Sequence, residues 1–325
     1  MIRRLVQLDD GRPAWLLVSQ RDHAALAAEL SQRAFVSATL GSDPAVRQEV
    51  EWTIRHHDDG WQDWDEAPGF ADDPPGQPRS FDEMRIEDAQ AIWARSIQEA
   101  RRRGPLAAWL VIRHFLYLRS VSSSAADPAA MRFARQFEPL ADACWREWLE
   151  TARFADRSAA AASDPAEVAQ WGLDRLRWAD RLSLCLCGDP PAGPDGLVLR
   201  PTPLGVPQRL TWDPSLLAWD LSSQAEGPGK KAEDPGKSDS RPDFRFGYRI
   251  QPWLADPDPL PGVKADNWQS PGKEGSAARS GPRLVLRWRA RQVPVAEYSS
   301  VQELNRAARV VGILGVLGGS GCVAD

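Results

Sequence analysis

At 325 residues the chain is long enough for one or two domains, and its 42% hydrophobic and 26% charged content is that of a soluble globular protein. A net charge of −5 argues against a nucleic-acid partner, which would select a basic face. No segment offers the roughly 20 apolar residues of a membrane span, and the N-terminus lacks the apolar core of a secretory signal, so a cytoplasmic protein is expected.

Two short apolar runs, 2–8 and 14–18, flank Asp9-Asp10-Gly11-Arg12-Pro13, a hairpin signal. Ser19 then offers a helix cap with Asp22 three residues on, opening a helix to about Phe35. His23 lies on or beside its buried stripe of Leu26, Ala27 and Leu30. Asp43-Pro44 pairs a cap with a proline at the first helical position, and that helix should end near His57. An acidic, tryptophan-rich stretch follows, carrying Trp61, Asp63, Trp64, Asp65 and Glu66, and then a Pro/Gly/Asp-rich loop to Pro78. Such a loop can rim a site or cover the core.

Residues 82–103 have Ile86, Ile92 and Ile97 spaced for one helix face. The segment from Pro105 to about Val121 is apolar nearly all round, which marks a central helix and places His114 deep, beside Arg113. Further helices are expected from Pro128 to about Phe154 and, after Asp164-Pro165, to about Cys187. Asp180 sits in the last of these among leucines, where a carboxylate needs an arginine, a helix N-terminus or a metal. Cys185-x-Cys187 has no second pair and reads as small core residues rather than a zinc site.

After Gly188 the pattern changes to short apolar runs between prolines and glycines. Leu197–Leu199, 208–212, 216–221, 245–250, 284–288 and 293–295 read as strands that could join the N-terminal hairpin in one sheet. Residues 222–243 and 269–282 lack apolar anchors and read as disordered insertions. A short helix is expected over 300–310, and 311–325 reads as an apolar, glycine-rich tail.

His23, then His57-Asp58, then Asp180 follow the order of ligands in the histidine–aspartate (HD) hydrolase superfamily. More narrowly, the chain resembles the domain-of-unknown-function 3891 family over roughly residues 1–220. That resemblance rests on Gln20-Arg21-Asp22-His23-Ala24, His57-Asp58-Asp59-Gly60-Trp61 with Trp64-Asp65, Arg113-His114-Phe115, and the run from Asp180 to Cys187. The superfamily similarity implies a divalent metal held by His23, His57, Asp58 and Asp180. Mixed nitrogen and oxygen ligands suit Mn, Fe, Zn or Mg and do not choose among them. It further implies that Asp59 could take a proton from water, and that His114 or Arg113 could contact a leaving group or phosphate oxygen, with His114 as the ligand of a second metal the alternative.

The expectation is therefore a mainly α protein, α+β overall: an HD-like helical domain over 1–190, a β-rich accessory region over 191–310, and the tail. Its expected activity is metal-dependent hydrolysis of a small molecule, with phosphoesters as the leading substrate class. A di-metal oxygenase on a similar helical scaffold, and a binding module using the tryptophan-rich loop, stay open as alternatives.

Overall fold

The computed structural model describes residues 1–34, 43–122, 127–154, 164–188, 197–199, 208–212, 244–252 and 283–319. The chain begins with the hairpin β1 (Ile2–Gln7) and β2 (Pro13–Val18), paired from Ile2↔Val18 to Gln7↔Pro13. Gly11 closes its turn at φ +79°, a conformation that favours glycine. Helices α1 (Gln20–Ala34) and α2 (Pro44–His56) follow, then a 3₁₀ turn at Asp59–Trp61 and the short α3 (Gln62–Glu66). A small hairpin, β3 (Phe70–Asp72) and β4 (Pro75–Pro78), leads to α4 (Ile86–Arg103), α5 (Pro105–Ser122), α6 (Pro128–Phe154) and α7 (Pro165–Cys187). Then come β5 (Leu197–Leu199), β6 (Gln208–Trp212), β7 (Phe244–Pro252), β8 (Arg283–Pro294), α8 (Val301–Ala307) and β9 (Arg309–Gly319).

Local chemistry sets the helix starts that matter for the site. The Asp43 carboxylate accepts from Ala45 N at 2.8 Å and the Asp164 carboxylate from Ala166 N at 2.9 Å, each followed by proline. At α1, Asp22 N donates to Ser19 Oγ at 2.9 Å, and the Ser19 hydroxyl donates back to Asp22 Oδ2 at 2.7 Å.

The fold is mainly helical with an accessory sheet, α+β overall. The sheet order is β1-β2-β8-β9-β7-β6-β5, antiparallel except for the parallel β7–β9 pair. N-terminal hairpin and C-terminal strands thus share one sheet. One face carries Leu16, Val18, Trp288 and Ala290 against α1 and α7, where Leu26, Leu30, Leu176 and Leu182 complete a core. On the other face Trp15, Leu17 and Val293 pack with Tyr298 and with Leu304 of α8. A second core joins α4, α5 and α6 around Ile92, Val111, Phe115 and Phe133, with Trp93 stacked on Phe115 at 5.1 Å. Helix α5 feeds both cores, Leu106 and Leu110 into the first and Val111, Ile112 and Phe115 into the second. Its all-round apolar sequence is the consequence.

Several elements differ from the sequence expectation. The helix expected over 82–103 begins only at Ile86, because Met84 and Arg85 are extended (ψ 148° and 142°) after a 3₁₀ turn at Phe81–Glu83. The loop before Pro78 contains the β3–β4 hairpin. The runs at 284–288 and 293–295 are one strand, β8. The stretch from 311, set apart above as a tail, is most of β9, which pairs with β8 on one side and β7 on the other. Its glycines hid a strand whose stability comes from those neighbours rather than from local propensity. The strand expected at 216–221 and the insertions at 222–243 and 269–282 lie outside the described residues.

Candidate metal centre

Helices α1, α2 and α7 pack on one another and bring their polar residues to one point. Close approach of α2 and α7 depends on Gly172, where a Cβ would already stand 3.0 Å from Val50 Cγ2. Helices α1 and α7 are also clamped by Arg175, which donates to Ser31 Oγ and Ser31 O at 3.0 Å each and lies over the Trp171 ring. His57 caps the C-terminus of α2, and Asp58 then leaves the helix at φ −109°, ψ 17°. That break turns two consecutive side chains toward one place, which a continuing helix would separate by about 100°. The turn is held by α4: Gly60 N donates to Ser96 Oγ at 3.0 Å. Only glycine fits there, since a Cβ would meet Ile92 O at 2.4 Å and Ser96 N at 2.6 Å.

His23, His57, Asp58 and Asp180 converge, with one ligand atom from each lying within 4.8 Å of all the others. Asp180 Oδ1 is 3.0 Å from His23 Nε2 and 3.3 Å from His57 Nε2. Asp58 Oδ2 is 3.3 Å from His57 Nε2 and 3.6 Å from His23 Nε2. A cation about 2.1 Å from each ligand separates neighbouring ligands by about 3.0 Å in an octahedron and about 3.4 Å in a tetrahedron. The observed spacings span those values. All four residues are buried, and both histidines are 0% exposed.

Hydrogen bonding fixes which imidazole nitrogens face the cluster. The Ser183 hydroxyl donates to Asp180 O at 2.9 Å, so its oxygen accepts from His23 Nδ1–H at 2.8 Å. His57 Nδ1–H donates to Ile54 O at 2.8 Å, because a carbonyl only accepts. With both Nδ1 atoms protonated, a neutral imidazole presents its Nε2 lone pair to carboxylate oxygens. Lone pair against lone pair is repulsive, so the cluster demands a cation, either protons or a metal. Burial alone would lower the His57 pKa, but Asp58 and Asp180 override it and raise it to about 9. Burial likewise pushes both carboxyls up; at Asp180 the hydrogen bonds from His23 and His57 reverse this and hold it far below the usual range. Asp58 stays raised, with burial leading and Asp180 and Asp65 adding to it. Two buried carboxylates against two imidazoles match a divalent ion in charge, and this group can hold one.

The sequence profile of a family described as "Protein of unknown function (DUF3891)" matches residues 5–212, more than half of the chain. The chain belongs to the DUF3891 family. No curated protein and no solved structure matches it. All four cluster residues fall inside the DUF3891 span, whereas β7, β8 and β9 lie beyond it.

His114, also inside the DUF3891 span, stands at the cluster's edge. Its Nε2 is 3.6 Å from Asp180 Oδ2 and its ring is edge-on to His57 at 5.5 Å. It is 1% exposed, neither ring nitrogen has a hydrogen-bond partner among the described residues, and burial lowers its pKa to about 3. The other two residues assigned catalytic roles are placed elsewhere. Asp59 turns outward, its Oδ2 2.8 Å from His56 Nδ1 and its Oδ1 3.6 Å from Arg21 Nε. Arg113 is exposed where its neighbour His114 is buried, and its backbone carbonyl accepts from Arg177. The tryptophans of the acidic stretch point inward: Trp61 is 3% exposed, and Trp64 lies against Gly69, where a Cβ would come within 2.9 Å of the ring. Trp61 belongs to the core, and Trp64 packs half-buried against it.

Two residues had no assigned role. Ser183 fixes the tautomer of His23, and its signal was its position three residues after Asp180, on the same helix face. Asp65 accepts from Gln20 N at 2.7 Å, at the start of the helix that carries His23. Its backbone carbonyl accepts from Arg291 at 2.7 Å, tying the site to β8.

Proposed function

We propose that this chain is a metal-dependent hydrolase of the histidine–aspartate type, acting on phosphoesters of small molecules. The observation that carries the reading is the convergence of His23, His57, Asp58 and Asp180 on one buried point whose hydrogen bonding calls for a cation. Their order along three helices is the order of the HD hydrolase superfamily. A divalent ion there would polarise a phosphoryl oxygen and lower the pKa of water from about 15.7 toward about 7.

The chain's own residues then have distinct tasks. Asp58 and Asp180 supply the negative charge, and Ser183 and the Ile54 carbonyl hold both imidazoles with Nε2 inward. His114 remains neutral at pH 7, with one N–H to donate and one lone pair to offer. It is too weak a base to keep a proton, so its task is to hydrogen-bond a phosphoryl or leaving-group oxygen. Asp59, paired with His56 and Arg21, serves the rim and not the proton transfer.

The test is hydrolysis of p-nitrophenyl phosphate and bis(p-nitrophenyl) phosphate by metal-free protein supplied with Mn, Fe(II), Zn or Mg. Turnover with at least one metal, lost on chelation and in Asp58→Asn, is the expected result. Protein that binds the metal fully yet turns over neither ester would contradict the reading.

A further inference from the structure

An open trough of about 570 Å³ runs between α1 and β8, on a different side of α1 from His23. Along α1 its wall extends from Asp22 to Arg33, eleven residues or about 16 Å at about 1.5 Å per residue. On β8 it touches Arg287, Trp288 and Arg289 in succession. A groove lying on the face of a sheet meets every second residue of a strand. Contact with three consecutive residues places this one along the strand's edge.

That edge has no neighbour among the described residues. Strand β2 pairs with β8 only from Leu17↔Arg291 to Ala14↔Pro294 and then gives way to α1. The backbone of Arg287–Arg289 is therefore paired with β9 on one side only. An unpaired edge is a template for another strand.

Charge specifies the occupant. Arg55 of α2, Arg287 and Arg289 are exposed, line the trough and have no carboxylate partner among the described residues. Of the acids that line it, Glu29 is paired with Arg33, and Asp22, hydrogen-bonded to Ser19, stands at one end, so three arginines face one carboxylate. Trp288 is 7% exposed, and its indole N–H has no acceptor among the described residues. Cationic walls, an unmet buried donor and a free strand edge are together complementary to an extended chain bearing carboxylates.

We propose that this trough binds an acidic peptide segment, which adds as a strand to the free edge of β8. Its main chain continues the ladder where β2 stops, and its carboxylates reach Arg55, Arg287 and Arg289. At about 3.3 Å per residue the trough accommodates about five residues. The site is separate from the metal cluster and independent of the reaction assigned to it.

The experiment uses the full chain and a fluorescein-labelled seven-residue peptide alternating glutamate and valine, followed by anisotropy. Saturable binding is expected, weakened tenfold or more by Arg287→Glu/Arg289→Glu and by N-methylation of alternate peptide amides. Arg55→Glu, on a different element, should weaken binding in the same direction, which guards against misfolding of the strand variant. Absence of saturation, or equal affinity across wild type and variants, overturns the proposal. So does indifference to N-methylation combined with displacement by inorganic triphosphate, which would make the trough a small-anion site.

Discussion

His23 Nε2 and Asp180 Oδ1 lie 3.0 Å apart although the two residues are 157 positions apart in sequence. With His23 Nδ1–H given to Ser183, that contact is sustained only by a proton or a metal ion shared between the two. A metal ion bound there would compete with that proton. The cluster's chemistry at neutral pH follows from that competition.

The metal-free protein should lose stability as pH rises. His57 is raised from 6.5 to about 9 by Asp58 and Asp180, overcoming burial. A raised histidine contributes stability that is fully present below the unfolded value near 6.5 and lost as pH passes about 9. Melting temperature in a chelator should therefore fall between those limits. Metal affinity should rise over the same window, because the ion displaces a proton. The fall should be smaller in His57→Gln; wild type and variant changing in parallel through this range would rule out a protonated His57.

Ser183→Ala should weaken metal binding by about 10–100-fold, the usual cost of removing a partner that orients a ligating histidine. It also strips the buried His23 Nδ1–H of its acceptor, costing about 1–3 kcal/mol of metal-free stability. Calorimetric titration with Mn or Zn, alongside thermal melts, reads both effects. Unchanged affinity would mean that His23 needs no fixed tautomer.

Much of the helical frame is legible in the sequence because its signals are local. Asp43-Pro44 and Asp164-Pro165 start α2 and α7 where cap-plus-proline chemistry places them. The all-round apolar run of α5 marks the helix shared by both cores. The ligand candidates His23, His57, Asp58 and Asp180 are found from their order, and the packing brings them together. Asp59 follows the His57-Asp58 pair and Arg113 adjoins His114 in sequence. Adjacency is a poor guide on helical turns, where neighbouring side chains diverge, and both face outward. Ser183 could not be assigned without knowing how α7 is rotated against α1. Strand β9 was hidden for a different reason: glycines weaken the local signal, and its ladder partners are distant in sequence.

His114→Leu should make the metal-free protein more stable and less active. Both ring nitrogens of His114 are buried without partners among the described residues, a cost of about 1–3 kcal/mol for an unsatisfied group that an apolar side chain avoids. Metal content should stay near wild type while turnover of a phosphoester falls by about 10²-fold or more. A loss of metal in step with the loss of turnover would instead make His114 a ligand.

In the proposed site Asp180 completes the ligand set of a divalent metal. Asp180→Asn keeps the size of the side chain and removes the charge that the ion requires. The direct measurement is metal bound per chain by elemental analysis, after loading and exhaustive dialysis, for wild type and Asp180→Asn. Wild type should retain about one ion per chain, and the variant less than about a tenth of that while still melting cooperatively. Equal metal in both proteins, or none in wild type after loading with each candidate ion, would contradict the account.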